Sequence, residues 1–499
     1  MLKIHNTLSK QKELFKPITP GKVKMYVCGI TVYDYCHIGH ARSALVFDVV
    51  ARYFRYLGYE VDFVRNITDV DDKIIQRANE NNETCQQLTE RFIAAMLEDE
   101  KALNMQSYNQ APRATAYIPE IVAMIAKLVE KKSAYVADNG DVYYSIPSFK
   151  DYGKLSKRDL TQMRPGERIE KVSEKHNPLD FVLWKLAKPQ EPSWQSPWGA
   201  GRPGWHIECS VMASKWLGDQ IDIHHGAIDL IFPHHENEIA QTEGCSGKDP
   251  FVKYWLHNAF LTLSKEKMSK SLGNVFQARE FLTQYSGEIA RYLLMSVHYR
   301  TTLDFSADSI EQTLTGLQRI YEAKQMAHRM RDRKTMTPDQ RAESVWGEFV
   351  SSCEKAKKEI EDHYANDFNT AGALGVFFTL IREFNRSLKE PKAQITPAGT
   401  LAAGQLLSIM EHEIGDVLGF GKLEPAKALA DLNDVRARAP WKDEVSERLS
   451  EEEILKLISE RKAARDAKDF QKSDEIRDLL KSKGVVLKDA GGSTSWSFE

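Results

Sequence analysis

The segment from residue 23 to residue 64 limits what this chain can fold into more than any other. Residues 23–27 alternate apolar and polar side chains, as a half-buried strand does. Over residues 39–57 the apolar set Val46, Val49, Val50, Tyr53 and Leu57 recurs at helical spacing, Gly58 is placed to end the helix, and residues 61–64 begin another strand. Strand, loop, helix and strand make one βαβ unit, so the two strands are expected to pair in parallel. In such sheets functional loops lie at the carboxyl ends of strands. The loop here reads Cys28-Gly29-Ile30-Thr31-Val32-Tyr33-Asp34-Tyr35-Cys36-His37-Ile38-Gly39-His40. His37 and His40 fall in the loop and first turn of a helix whose N-terminus attracts phosphate. They suit stabilisation of a phosphoryl group under attack; the plainer alternative is that both are solvated cap residues. Cys28, at the strand end, is placed to be a ligand facing the same crevice.

The length of 499 residues is a prior for roughly three domains. A formal net charge of −3 neither points to nucleic acid nor excludes it, since only a local patch would decide. The first 24 residues mix Lys, Glu and polar side chains without an apolar core, so no signal peptide is expected. No run of about eighteen apolar residues exists to span a membrane. The 6 cysteines are too sparse for a disulfide scaffold. Free thiols or metal ligands in a cytoplasmic enzyme are the better reading.

After the second strand comes Asn66-Ile67-Thr68-Asp69-Val70-Asp71-Asp72-Lys73. Thr68 or Asp69 can cap the next helix, the acids suit its first turn, and for Asp71 and Asp72 capping is the better reading than catalysis. Residues 135–145 read as a hairpin around Asn139-Gly140. Residues 150–204, rich in Lys, Arg, Pro, Gly and Trp, read as an insertion that starts as early as about residue 125. Helix is expected at 205–217, strand at 220–224, helix at 232–242, strand at 254–263, a polar loop at 265–274 and helix at 278–299. From residue 310 to about 420 the pattern is almost all helix. Residues 425–440 look like a linker, and residues 445–499 hold two helices, the apolar strand Val485-Val486-Leu487 and a Gly491-Gly492 turn.

Two constellations carry chemistry. In the first, Lys267-Met268-Ser269-Lys270-Ser271 places two lysines three apart on a polar loop. That suits charge on a leaving pyrophosphate, with a loop able to close. The ordered pair His-Ile-Gly-His and Lys-Met-Ser-Lys-Ser resembles the signature of class I aminoacyl-tRNA synthetases. In the second, Phe232-Pro233-His234-His235-Glu236-Asn237-Glu238 sets His234 and Glu238 four apart, on one helical face. With Cys28 and Cys209 they would form a mixed set suited to Zn²⁺. On spacing alone His235 and Glu236 are alternative ligands. Ile239 stands where a zincin motif would need its second histidine.

With Asn66-Ile67-Thr68-Asp69, Gly204-Trp205-His206-Ile207-Glu208-Cys209 and Asp222-Ile223-His224, these motifs resemble the cysteinyl-tRNA synthetase family over nearly the whole chain. The likeness is dense to about residue 310. Beyond it Asp367-Phe368-Asn369-Thr370 is similar to the family's helical anticodon-binding domain. The resemblance implies an α/β fold: a Rossmann-like parallel-sheet catalytic domain over 1–310 with an insertion at about 125–204, and a helical-bundle anticodon-binding domain over 311–424. A linker over 425–444 and a small C-terminal α/β domain over 445–499 complete it. It implies one zinc per chain on Cys28, Cys209, His234 and Glu238, and phosphate chemistry by His37, His40, Lys267 and Lys270. Gly29, Thr31, Thr68, Trp205, His224, Asp229 and Ser269 are implied around amino acid and nucleotide. ATP with Mg²⁺, cysteine and tRNA(Cys) are the implied substrates and partners of a cytoplasmic monomer that needs no membrane. One departure stands out: the family usually has His-Gly-Gly-Gly where this chain has His224-His225-Gly226-Ala227.

Cysteine and serine differ by one atom, so shape alone separates them poorly. A metal that binds thiolate would separate them without an editing domain. The expected reaction forms cysteinyl-AMP and then charges tRNA. Two alternatives are a cysteine ligase acting on an amino sugar, as in mycothiol synthesis, and an inactive RNA-binding paralogue. The long region after residue 310 argues against the first, and intact His37, His40, Lys267 and Lys270 against the second.

Overall fold

The computed structural model describes residues 1–106, 108–158, 175–263, 266–267, 276–334, 336–438, 451–467, 469–482, 485–490 and 493–498. It divides into two units, Met1–Ala430 and Asp431–Glu499. The first opens with a hairpin, β1 (Lys3–Asn6) and β2 (Gln11–Leu14), which the sequence pattern did not announce. Then come β3 (Lys22–Val27), α1 (Ile38–Tyr56) and β4 (Glu60–Arg65), and β3 pairs with β4 in parallel as expected. α1 forms where predicted because its apolar residues from Val46 to Phe54 are buried. It ends at Gly58, whose φ of +83 is one that L side chains rarely adopt.

α2 (Asp72–Glu80), α3 (Cys85–Ala102) and α4 (Ile118–Glu130) follow. The cap of α2 is Asp71, whose carboxylate accepts the Lys73 N–H at 2.9 Å, in keeping with the capping role read for it, whereas neither Thr68 nor Asp69 caps the helix. Asp69 instead accepts from the Thr115 N–H at 2.9 Å and from its hydroxyl at 2.6 Å. Within the span read as an insertion lies a separate antiparallel sheet, β5 (Ala134–Val136), β6 (Val142–Tyr144), β7 (Phe181–Leu186) and β8 (Gly201–Pro203), paired in that order. Leu183, Trp184, Ile121, Ile125 and Phe232 join its core, so the sheet packs on the parts of the chain that carry the candidate site.

The main sheet is completed by α5 (Trp205–Leu217), β9 (Ile221–Ala227), α6 (Glu236–Ser246) and β10 (Val252–Asn258). Its order is β10-β9-β3-β4, all parallel. The chain leaves β3 toward one edge and β9 toward the other. The crevice beyond the carboxyl ends of these two neighbours is therefore the switch point where such sheets bind ligands. The expected helix at 232–242 is entered through a π-helical turn, Ile231–His235, kinked at the extended Phe232 (φ −139, ψ 131), before α6 begins at Glu236. The expected strand at 254–263 is two strands, β10 and the short β11 (Leu261–Leu263). β11 pairs with β12 (Glu266–Lys267) and with β13 (Leu303–Phe305).

α7 (Ala278–Met295) carries a break at Ser286, φ +68. Long helices follow: α8 (Ala307–Arg331), α9 (Gln340–Tyr364), α10 (Thr370–Ser387) and α11 (Pro397–Ile409). The stretch expected as a linker contains a helix, α12 (Pro425–Arg438). The second unit holds helices Glu451–Asp466 and Phe470–Ser482 and an antiparallel pair, Val485–Ala490 with Ser493–Phe498. The two helices and first strand were expected; the second strand was not.

A buried ionic hub joins α1 to the later helices. Asp48 accepts from Arg52 at 2.7 Å and also pairs with Arg291 of α7; these groups are at most 7% exposed. Arg291 also donates to the carbonyls of Leu103 (2.8 Å), Asn104 (3.1 Å) and Leu418. Removing one partner of such a pair strands a buried charge, at a cost of about 3–5 kcal/mol. Arg291→Ala is thus expected to lower the urea midpoint by an amount equivalent to about 3 kcal/mol or more; an unchanged midpoint would show that the hub does not hold these segments.

Candidate active site

The candidate stretches 28–40 and 66–73 follow the carboxyl ends of β3 and β4, residues 224–238 run through and beyond the end of β9, residues 204–209 open α5, and Lys267 lies in β12. His37 is the N-cap of α1: its Nδ1 accepts the His40 N–H at 3.2 Å, and its own N–H donates to His40 Nδ1 at 3.4 Å. The two rings stack with centroids 3.5 Å apart. The capping alternative is therefore realised, and it fixes both rings at a positive helix end. With both Nδ1 atoms engaged in the cap, a phosphate contact would run through Nε2.

Segments on either side of the lysine-rich stretch are hydrogen-bonded to this helix or to the residues that lead into it. On the entry side, Arg42 of α1 donates to the carbonyls of Ala259 and Phe260. On the exit side, the Ile38 N–H donates to Phe276 O at 3.0 Å and the Ala278 N–H to Cys36 O at 2.8 Å. Lys267 lies at the end of β12. Ser269 and Lys270 lie outside the described residues, and so does most of the loop expected at 265–274.

Gly29 and Thr31 run beside the segment after β4. The Gly29 N–H donates to Asn66 Oδ1 at 2.8 Å, and Thr31 bridges Thr68 in parallel. A Cβ on Gly29 would lie 1.6 Å from Asn66 O, so only glycine fits this approach. Thr68 is buried, and Trp205, the first residue of α5, is partly exposed with its ring centroid 4.2 Å from that of His234. Asp229 is exposed in the turn after β9. His224, expected near the substrates, is wholly buried: its Nε2 donates to Glu238 Oε2 at 2.8 Å and its ring stacks on Trp255.

Cys28, Cys209, His234 and Glu238 converge, with one ligand atom from each lying within 4.8 Å of the others. The sulfurs are 3.9 Å apart, Cys28 Sγ is 3.4 Å from Glu238 Oε1, and His234 Nε2 is 3.0 Å from the same oxygen. Tetrahedral zinc with Zn–S of about 2.3 Å sets sulfurs about 3.8 Å apart, so these residues fit the ion. A second set shares the centre: Cys28, His224, His235 and Glu238. The first is the better site on chemistry and access. It has two sulfurs, and the outer nitrogen of His234 is held by His206 Nδ1 at 2.9 Å while its ring faces Trp205. His235 meets Cys28 Sγ at 3.4 Å but its Nδ1 is engaged by His257 at 2.8 Å, deeper in the protein. Glu236, the other alternative, is spent on backbone: it accepts from the Gly153, Leu155 and Ser156 N–H groups at 2.9, 3.2 and 2.8 Å.

Burial alone would raise the Glu238 carboxyl, but His224 and His234 beside it bring it down to about 2. Burial would lower His234, yet Glu238 and Cys209 hold its proton and raise it to about 10. Burial pushes the Cys28 thiol up, and the hydrogen bond it donates pulls Cys209 down to about 6. A carboxylate and an easily ionised thiol thus share the centre with one cationic ring, whose proton a metal ion would replace.

His206, His235 and His257 were not singled out as supports for these ligands. The Trp205-His206 pair in the quoted motif was the one local signal. The contacts of His235 and His257 depend on strands far apart in sequence.

A parallel sheet with this order, a histidine-capped first crossover helix and a lysine-bearing stretch whose flanking segments are bonded to that helix are the marks of a class I synthetase. A family model described as tRNA synthetases class I (C) catalytic domain matches residues 14–315, and a DALR domain model matches residues 361–422. The chain is 48% identical over 509 residues to the cysteine–tRNA ligase of Geotalea uraniireducens (strain Rf4), covering 100% of both. It is 49% identical over 496 residues to that of Hahella chejuensis (strain KCTC 2396), covering 99% of both. The chain belongs to the cysteine–tRNA ligase family. The fold is also that of Mycobacterium tuberculosis methionyl-tRNA synthetase in complex with methionyl-adenylate, with TM-score 0.63, 14% identity and coverage of 82% of this chain and 93% of that one.

Proposed function

We propose that this chain is a cysteine–tRNA ligase that first joins the cysteine carboxylate to the α-phosphate of ATP, releasing pyrophosphate, and then passes cysteine to the 3′ end of tRNA(Cys). The observation that carries this is the Cys28–Cys209–His234–Glu238 cluster at the switch point of a class I fold. A zinc ion held there would bind thiolate in preference to hydroxyl, which gives cysteine its advantage over serine. His37 and His40, at the start of α1, stabilise the phosphate as it is attacked. Lys267 and Lys270 neutralise charge gathering on the leaving pyrophosphate, and Mg²⁺ accompanies ATP. Thr68 and Trp205 flank the amino acid; Gly29, Thr31, Asp229 and Ser269 border the nucleotide. His224 acts behind the site, orienting Glu238.

We assign the domains as 1–310 catalytic, with the insertion at about 125–204, 311–424 for the anticodon, and 445–499 as a small terminal domain. The chain acts as a cytoplasmic monomer. Among the described residues no helix is long and apolar enough to cross a membrane. Full-length likeness to cysteine–tRNA ligases, through the tail, weighs against an amino-sugar ligase. The test is cysteine-dependent ATP–pyrophosphate exchange followed by charging of tRNA against an amino sugar. Exchange with tRNA charging is expected; exchange with amino-sugar acylation alone would overturn the assignment.

A further inference from the structure

Glu208 precedes Cys209 on α5 and is 0% exposed. Among the described residues neither of its carboxyl oxygens has a hydrogen-bond partner of acceptable geometry, although the Thr68 hydroxyl lies beside it. A buried carboxyl without donors is costly, and a chain that keeps one needs a reason. The side chain lines a cavity of about 390 Å³, together with Asp71, Gly204, Trp205 and His206. Trp205 and His206 are the residues that touch His234, so the cavity reaches the edge of the cysteine–histidine cluster. Four basic residues line the cavity, Lys175, Lys185, Lys188 and Arg202; Lys185 and Arg202 are paired with Asp72, and Lys175 lies over the Tyr143 ring. Among the described residues no cationic side chain is hydrogen-bonded to Glu208.

We propose that Glu208 receives the α-ammonium group of the bound amino acid and so selects α-amino acids over their des-amino analogues. This rests on the reading of the cluster as a thiolate site. The thiol and ammonium of cysteine are separated by only two carbon atoms. A group that holds the ammonium must therefore lie near the thiol's position; Glu208 shares its cavity with Trp205 and His206, which touch His234, and lies close enough to Cys209 to interact with its charge. An ammonium can donate to the carboxylate and to the Thr68 hydroxyl together, satisfying oxygens that the fold leaves bare. Asp69 and Asp71 do not take this role. The first accepts from Thr115 and the second caps α2.

The test compares cysteine with 3-mercaptopropionate, which keeps the thiol and carboxylate but has no ammonium. The Michaelis constant for cysteine is read from ATP–pyrophosphate exchange, and 3-mercaptopropionate is titrated as its competitor. In Glu208→Gln the Michaelis constant for cysteine should rise about tenfold or more, the scale of a lost hydrogen bond to a charge. Inhibition by 3-mercaptopropionate should change by less than about twofold, since no contact to it is lost. Metal content should match the unmodified enzyme, and Glu208→Asp should recover part of the loss. Equal weakening of both ligands, loss of metal, or an unchanged Michaelis constant would each overturn the proposal. Failure of the cysteine reading itself is distinct: the unmodified enzyme would then show no exchange with cysteine.

Discussion

Cys209→Ser is expected to remove bound zinc and cysteine-dependent ATP–pyrophosphate exchange together. Cys209 is 1% exposed on α5, 3.9 Å from its sulfur partner Cys28, and it is the thiol that this pairing makes easier to ionise. A serine hydroxyl keeps the shape but does not ionise, so the site loses a soft anionic ligand while the packing is kept. Loss of a supporting hydrogen bond around a metal costs about 10–100-fold. Loss of a ligand is expected to exceed that, with exchange falling more than about 100-fold. Metal analysis should find one zinc per unmodified chain and essentially none in the variant, with the thermal midpoint measured alongside to separate site loss from unfolding. A metal-free unmodified enzyme with full exchange activity would refute the assignment.

Lys270→Ala is expected to slow the adenylation step about 100-fold or more while leaving cysteine affinity nearly unchanged. The charge of this lysine matters most where negative charge gathers on the departing pyrophosphate, and loss of one such contact costs about 10²–10³-fold in rate. The described residues on either side of this stretch are hydrogen-bonded to α1 or to the residues that lead into it: Ala259 and Phe260 to Arg42, Phe276 to Ile38, and Ala278 to Cys36. Single-turnover kinetics with cysteine titrated separately would distinguish rate from binding. A weakened cysteine affinity with an unchanged single-turnover rate would remove Lys270 from this role.

The same hub that organises the fold changes what a truncation can teach. Cutting the chain near residue 310 would strip Leu418 from Arg291, and it would also remove Asp367. The Asp367 carboxylate accepts from Tyr299 at 2.8 Å, from Arg300 at 2.9 Å and from the His5 N–H at 2.9 Å. Such a cut removes the carboxylate that holds Tyr299, Arg300 and β1, so a truncate ending near residue 310 is expected to have a lower thermal midpoint than the full chain.

By itself the sequence determined the elements whose cues are local. The alternation at residues 23–27, the helical spacing that became α1, Gly58 after its end, and the helix over residues 205–217 all depend on side chains a few residues apart. The structure forms them where they were read. Linked to a family resemblance, the same local motifs named the four residues that converge. Other features depend on which segments meet, and only the tertiary structure decided those. His234 and His235 are equivalent on spacing. What separates them is that His206 and Trp205 approach one ring while His257 engages the other. Asp71 rather than Thr68 caps α2 because Thr68 is drawn into a bridge with Thr31. The β1–β2 hairpin has little apolar pattern of its own. It is held because Asn6 and Thr7 bond the backbone of β10, covering a sheet edge that local sequence cannot reveal. Periodicity records which face of an element is buried, but not what covers it; partner choice is a long-range property, set when the whole chain packs.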